Sequence, residues 1–368
     1  MKKSLLTASI IASMVCTAQA ATVYDKDGTS LNIGGRVQSV VYNGHYKQAG
    51  INDSSLVNSA RLSISGQTKV NDWLSAYAFS EWDMADGNKN KIGDTIKARE
   101  QYVGADFGSF GKLTAGKTFD VTKKVIVVTD IFEDVDMQND IGLNGDRRNS
   151  MFRYDLNTNG FFASLNFETA TDDTKVFGKA RDIKSGEGVA IGYTFDDVWF
   201  GPLSIKAAYS YIEGQDDASA IGAKRFDNAK QLAGSIAWGL ADNGLYLASL
   251  FYNQKTNFDT NHVQSAIHQT EARGFELVAG YTFDNGIGLY SGYNHWECTD
   301  KTSLGNKKAK FNRVPLLIKY TLNPNFKLWT EAEFDAGSDV DNRLSQYNTS
   351  GKPLATGTQL SAGARYTF

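Results

Sequence analysis

Val57-Asn58-Ser59-Ala60-Arg61-Leu62-Ser63-Ile64-Ser65-Gly66-Gln67-Thr68-Lys69-Val70 alternates without a break. Ala60, Leu62, Ile64, Gly66, Thr68 and Val70 fall on one face, and Arg61, Ser63, Ser65, Gln67 and Lys69 fall on the other. A period of two with one oily and one wet face is a β-strand between two different solvents. The same pattern returns in Val189-Ile191-Tyr193-Phe195, Leu203-Ile205-Ala207-Tyr209-Tyr211, Phe275-Leu277-Ala279-Tyr281-Phe283 and, at the end, Leu360-Ala362-Ala364-Tyr366-Phe368.

Roughly sixteen such segments can be counted, an even number of the kind found in outer-membrane barrels. Short connections at residues 70–73, 157–160, 241–244, 284–286 and 323–325 alternate with long polar ones. The long ones lie near 43–56, 85–96, 119–146, 170–186, 213–228, 254–270, 298–309 and 336–356. One end with tight turns and one with long loops is the periplasmic and extracellular asymmetry of a membrane barrel. A water-soluble sandwich also alternates, but its strands run about 5–6 residues, whereas many here approach the roughly 9–11 that cross a bilayer at a tilt. The expected fold is therefore all-β, a 16-stranded antiparallel transmembrane barrel with both chain ends at the tight-turn side. Closure pairs every backbone group where lipid offers no partner, and about sixteen strands leave an interior wide enough for water.

Composition agrees. The 368 residues include 35 Gly and only 4 Pro, and 12% are aromatic while hydrophobic residues reach just 41%, which excludes a helical membrane bundle. The one long apolar run, Leu5 to Val15, follows Lys2 and Lys3 and precedes Ala18-Gln19-Ala20, so residues 1–20 are expected to be a cleaved signal peptide and 21–368 the barrel. Net charge is −3, and losing a leader with two lysines and no acid makes it more negative, so nucleic acid is not an expected partner. Cys298 is then the one remaining thiol, which rules out an intramolecular disulfide.

Several motifs together carry a resemblance. They are Val23-Tyr24-Asp25-Lys26-Asp27-Gly28, Ala60-Arg61-Leu62, Tyr102-Val103-Gly104 leading to Phe107-Gly108-Ser109-Phe110-Gly111, Asn149-Ser150 with Arg153-Tyr154-Asp155, and terminal Tyr366-Thr367-Phe368. In these the chain resembles the trimeric general-diffusion porins of Gram-negative outer membranes. The resemblance implies a third loop, here Phe119 to Asp146, folded into the barrel, with acids facing wall arginines. That loop carries Asp120, Asp130, Glu133, Asp134, Asp136, Asp140 and Asp146 against Lys123 and Lys124. Thr129-Asp130 followed by Asp134 matches the family's pattern, while the Pro-Glu-Phe-Gly-Gly run is missing.

By the same resemblance Arg36, Arg61, Arg99 and Arg147 are wall bases of the constriction, with Arg148 a competing register for the fourth. Arg36, Arg61 and Arg99 also sit on the wet phases of their strands, and Arg147, Asn149, Arg153 and Asp155 share the wet phase of theirs. Asp130, Glu133, Asp134 and Asp136 are the expected acidic side. Opposed charges in a narrow, low-dielectric channel produce a field that orients polar solutes. Tyr366 and Phe368 are expected to signal insertion. The implied partners are a homotrimer, outer-membrane lipid and lipopolysaccharide, the assembly machinery, and small hydrophilic solutes and ions. Small outward residues on the early strands (Ala60, Ala76, Ala78, Gly104, Ala115) suggest the subunit contact.

Rival readings have weaker support. Gly111 to Thr118 satisfies a P-loop pattern, yet six residues between Thr118 and Val125 are too few for a parallel crossover. His262 and His268 lack zinc spacing, Asp25-Lys26-Asp27-Gly28 lacks the acid that completes a calcium loop, and no Gly-x-Ser-x-Gly elbow is present. No cofactor and no enzymatic activity are expected. A solute-specific channel for sugars, with Tyr77 and Phe79 on a wet face, stays open as an alternative, and an outer-membrane hydrolase is the more distant one.

Overall fold

The computed structural model describes residues 20–44, 55–85, 96–134, 147–177, 179–216, 225–258, 267–340 and 357–368. Apart from Ala20, the expected leader lies outside them. Strands β1 to β19 form one antiparallel sheet. β1 (Ala21–Lys26), β9 (Thr171–Val176) and β18 (Asp339–Val340) are short pieces paired beside longer strands. The other sixteen make the ring: β2 (Thr29–Gly44), β3 (Ser55–Lys69), β4 (Ser75–Ala85), β5 (Lys97–Asp106), β6 (Lys112–Phe119), β7 (Arg147–Thr158), β8 (Phe161–Glu168), β10 (Lys179–Val198), β11 (Gly201–Gly214), β12 (Asn228–Leu240), β13 (Asn243–Asn257), β14 (Ile267–Thr282), β15 (Ile287–Thr302), β16 (Gly305–Asn323), β17 (Phe326–Asp335) and β19 (Gln359–Thr367).

Closure is made by β19 against β2, from Gln359 opposite Gly44 to Thr367 opposite Arg36. Two further hydrogen bonds, Gly35 N–H to Phe368 O at 2.8 Å and Phe368 N–H to Gly35 O at 2.9 Å, extend the ladder. β1 then pairs with residues 29–33 of β2, so β1 and β19 share one edge of that strand. The β1–β2 turn, Asp27-Gly28, has both residues at positive φ (53° and 75°), the twist a two-residue hairpin requires. The Asp-Lys-Asp-Gly run is thus a turn. A glycine at 35 is also required, because a Cβ there would lie 2.5 Å from Arg61 O and 2.8 Å from the Phe368 ring.

Alternation sorts the side chains as the sequence predicts. Val37, Val41, Leu56, Val103, Phe152, Leu165, Ile205, Leu232, Ile236 and Leu277 are exposed on the outside, while polar residues such as Ser63, Glu81, Thr114, Arg153, Asn166, Gln231 and Glu276 are buried on the inner phase. Aromatics gather at the tight-turn end, where Trp73 stacks on Phe107, Phe200 on Trp238 and Tyr366 on Phe368, with Trp199 tilted against Trp238. Trp199, 88% exposed, projects from the turn between β10 and β11. This girdle marks the lower membrane interface. Among the described residues no helix is long and apolar enough to cross a membrane, so the crossing elements are strands.

Several expectations need correction. Gly104 belongs to the inner phase: it pairs with Tyr77, and a Cβ there would sit 2.2 Å from that ring. On β7, Ser150 has φ 58° and the register slips between Gly116 and Thr118 of β6, so Met151 takes the inner phase and Asn149 is exposed. The connection at 298–309 is a tight hairpin, because β15 and β16 extend to Thr302 and Gly305. The 170–186 connection is largely β9 paired with the start of β10. The P-loop look-alike is β6, antiparallel to β5 and β7.

Candidate pore constriction

After β6 the chain enters a short helix α1 (Lys123–Ile126) and a 3-10 turn at Val127–Thr129. Asp120 roots this segment. Its carboxylate accepts hydrogen bonds from Thr122 N–H (2.8 Å), Ser210 Oγ (2.8 Å) and Arg148 Nη1 (2.9 Å). Asp120 and Arg148 are 0% and 1% exposed, and Glu168 lies 3.5 Å from the same guanidinium. A buried charge pair of this kind holds a fixed position, since removing either partner leaves the other uncompensated in a dry site. Arg148, the competing register, is therefore an anchor.

From this root the segment contacts one wall strand after another. Asn166 on β8 accepts from Val121 N–H (3.3 Å), Gln231 on β12 accepts from Thr122 Oγ1 (3.3 Å), and Tyr246 on β13 donates to Val128 O (2.7 Å). Thr129 donates to Glu276 on β14. Val121, Val125 and Ile126 pack in one apolar cluster with Ala190, Ala208, Ala233, Leu250 and Tyr252 of the inner wall, and Trp296 stacks on Phe311 within it at 3.9 Å. Sequence alternation marks this inner face as wet. The apolar residues on it became legible only once the segment that covers them was placed.

At its far end the segment meets β2, β17 and β19. Glu331 accepts from the N–H groups of Glu133 (2.7 Å) and Asp134 (3.0 Å). Asp134 accepts from Tyr42 Oη (2.8 Å), Trp329 Nε1 (2.6 Å) and Ser361 Oγ (2.6 Å). Glu133 pairs with Lys327 and with Arg365 Nη1 at 2.9 Å. Burial opposes ionisation of Glu133, but Lys327 and Arg365 outweigh it and hold the carboxyl below its ordinary pKa. Asp130 pairs with Lys123 at 2.8 Å. Lys124 faces Asp155 at 4.0 Å, and burial lowers its pKa to about 8 against that carboxylate's pull.

The wall arginines have other partners. Arg36 and Arg61 stand directly opposite each other on β2 and β3. Two cations in that position repel, and β4 supplies the compensation. Asp83 takes Arg61 Nε at 2.9 Å and Arg99 Nη1 at 3.0 Å, and Glu81 takes Arg99 Nε at 2.6 Å. A register shift between Glu81 and Trp82 turns Arg99 toward both acids. Arg147 lies over the Phe119 ring at 4.0 Å, with Glu100 at 3.8 Å. Arg153 pairs with Asp155 at 2.9 Å and donates to Thr118 Oγ1 and Phe119 O, both at 2.9 Å.

Among the described residues no ion pair joins Asp130, Glu133 or Asp134 to Arg36, Arg61, Arg99, Arg147 or Arg153. Asp136 lies outside the described residues. The sequence reading missed Glu81, Asp83 and Glu100 as partners of the bases, although Glu81 and Asp83 share the wet phase of Tyr77 and Phe79. It also missed Tyr42, Lys327, Trp329, Glu331 and Arg365, which no local pattern links to partners so distant in the chain.

The likeness to known proteins extends over the whole ring. The chain is 25% identical over 372 residues to outer membrane porin C of Serratia marcescens, covering 93% of this chain and 94% of that one. A solved Salmonella typhi OmpF, in complex with daunomycin, superposes with TM-score 0.72 at 19% identity, over 95% of this chain and all of that one. The trimer form of OmpT from Vibrio cholerae gives TM-score 0.66 at 15% identity, over 93% of this chain and all of that one. The Gram-negative porin family model matches residues 6–340. A closed sixteen-strand ring with an oily outside, a polar inner phase and these relatives has one reading: the chain belongs to the Gram-negative porin family, outer-membrane channels for passive diffusion that perform no enzymatic chemistry.

Proposed function

We propose that the segment after β6 folds into the barrel as the third loop and, with the arginine wall of β2–β7, forms the charged constriction of a general-diffusion channel for ions and small hydrophilic solutes. The observation that carries this reading is the loop's run of hydrogen bonds to inner-phase side chains, from Asn166 to Ser361. Arg36, Arg61, Arg99, Arg147 and Arg153 form the basic side, and the last four are held by wall acids or by the loop's own backbone and rings. Asp130, Glu133 and Asp134, with Asp136 beyond the described residues, form the acidic loop.

Because Glu133 and Asp134 bond to β17, β19 and β2, their role is to fix the loop's position as much as to face the solute. The excess of acids in the loop and the negative net charge favour mild cation selectivity, strongest in dilute salt, where the Debye length is about 10 Å at 0.1 M against about 3 Å at 1 M. Reversal potential in a salt gradient tests this. Neutralising Asp130 and Asp134 together shifts it toward anions, and an unchanged potential with normal conductance would remove the loop from the permeation path.

The functional unit is a homotrimer packed through the small outward residues Ala60, Ala76, Ala78 and Ala115 of β3–β6. A purely monomeric band on unheated gels in mild detergent would refute that contact. Tyr366 and Phe368 present the terminal strand to the outer-membrane assembly machinery.

A further inference from the structure

On the inner wall beneath helix α1, a group of bases outnumbers its acid. Lys206 on β11 stands opposite Gly192 of β10, which in turn stands opposite Phe162 of β8. The Lys206 stem lies in the notch that Gly192 leaves, since a Cβ at 192 would be 2.6 Å from Lys206 Cγ. Its ammonium lies 5.8 Å from the centre of the Phe162 ring and forms no ion pair among the described residues.

Lys124 reaches the same region from the loop segment. It faces Asp155 at 4.0 Å, but that carboxylate is shared: Arg153 Nε holds one oxygen at 2.9 Å and Ser164 Oγ donates to the other at 2.6 Å. Burial lowers the pKa of Lys124; Asp155 raises it, and Arg153 and Lys206 lower it again, so the three cations lie within one another's field. The next acids are engaged elsewhere, Glu100 with Arg147 at 3.8 Å and with Thr118, and Asp106 with Lys112 at 2.8 Å. Three bases around one carboxylate leave an excess of two positive charges, beside the apolar cluster of Val125 and Ile126 against which Phe162 packs. Lys206 is half-buried and the Lys124 side chain keeps 19% of its exposure, so lumen water and solutes reach both.

We infer that Lys124 and Lys206 form a binding subsite for a compact dianion, a phosphate or a small dicarboxylate, on its way past the loop. Like charges held this close disfavour each other, and an anion between them removes the penalty. An ammonium is a compact charge whose donors suit phosphate and carboxylate oxygens, and apolar surroundings strengthen its pull. A monovalent anion neutralises part of the excess, whereas a dianion neutralises all of it. One such subsite does not reverse the preference of the loop's acids for monovalent cations; it retards one class of solute. The inference rests on the loop segment lying in the lumen, as proposed above, and gives that channel a solute class and a place where it pauses.

The test is single-channel recording of the full-length protein in a planar bilayer bathed in dilute potassium chloride at neutral pH, with malonate, hydrogen phosphate or acetate added. Malonate and hydrogen phosphate are expected to reduce the current with saturation, the stronger of the two naming the oxygen chemistry, while acetate at equal concentration does not saturate. Lys206→Gln should weaken the block about tenfold, the loss expected for one charge-assisted contact, and Lys206→Arg should restore most of it. Lys124→Gln should weaken it to a similar extent, and takes the place of Lys206→Gln if that variant assembles poorly. Lys319→Gln removes another inner-phase base that forms no ion pair among the described residues and should change the block less than about twofold. An equal loss there would show that the potential of the whole lumen holds the anion, and would overturn the proposal. So would equal block of wild type and Lys206→Gln, equal block by acetate, or none by either dianion. If the dianions fail while Asp130 and Asp134 still govern the reversal potential, the subsite alone is wrong; if both fail, the loop's place in the permeation path is wrong as well.

Discussion

Replacing Asp134 with alanine tests how the loop is held. Its carboxylate receives three donors, Tyr42 Oη, Trp329 Nε1 and Ser361 Oγ. A hydrogen bond to a charged group contributes about 1.5–3 kcal/mol, and such contributions do not add. Water in the lumen can re-satisfy the serine and tyrosine hydroxyls, but Trp329 is only 4% exposed, so its N–H is left poorly solvated. Taking about 2–4 kcal/mol for the carboxylate as a whole, the ratio of docked to undocked loop tip falls roughly 30- to 700-fold. The root is untouched, because Asp120 and Arg148 lie at the other end of the segment. The expected result in a planar bilayer is an open channel with increased current noise and brief closures, together with unchanged gel mobility before heating. Asp134→Asn keeps the shape and should give a smaller effect. Quiet, wild-type currents from Asp134→Ala would refute the argument that this carboxylate fixes the loop in the path of the ions.

Arg61→Gln with Arg99→Gln should shift the reversal potential toward cations, although the freed Asp83 and Glu81 make the shift larger than the loss of two bases alone. Because Glu133 is held below its ordinary pKa, its contribution to docking is fully present above about pH 4.3 and is lost as pH falls through the lower folded value. Acid should therefore make wild-type currents noisy, while Glu133→Gln should be noisy already at pH 7 and change little on acidification. Lys124, with its pKa near 8, should lose its charge between pH 7 and pH 9, so cation selectivity rises across that window and Lys124→Met flattens the rise. Gly35→Val places a Cβ group against Arg61 O and the Phe368 ring, and deletion of Phe368 removes two seam hydrogen bonds. Both should reduce the folded, heat-modifiable band, and normal assembly of either would disprove the role given to the seam.

The ring itself was legible because a period of two is a local signal and the connections alternate in length. Arg36, Arg61 and Arg153 could be placed on the inner phase for the same reason. What failed was a departure from strict period, the positive φ at Ser150, which puts Asn149 outside and Met151 inside, while the shift beside Trp82 brings Arg99 to Glu81 and Asp83. The strand β9 and the extensions of β15 to Thr302 and of β16 from Gly305 read as loops in the sequence, because polar residues above a membrane look the same whether or not they pair. The loop's partners were illegible in principle, since Glu133 meets Lys327 only through closure of the ring.

Beyond its buried ionic root at Asp120 and Arg148, the loop segment is held by two different forces, one at helix α1 and one at the tip, and they respond to different conditions. The helix near the root rests Val125 and Ile126 on Ala208, Ala233 and Leu250, an apolar contact that weakens on cooling and strengthens with excluded salts such as sulfate. The tip rests on Glu133 with Lys327 and Arg365, an ionic contact that a monovalent salt screens where water reaches it. Cooling at low ionic strength should therefore loosen helix α1 first, and concentrated potassium chloride at warm temperature the tip first, so one segment has two separable melting behaviours along its length.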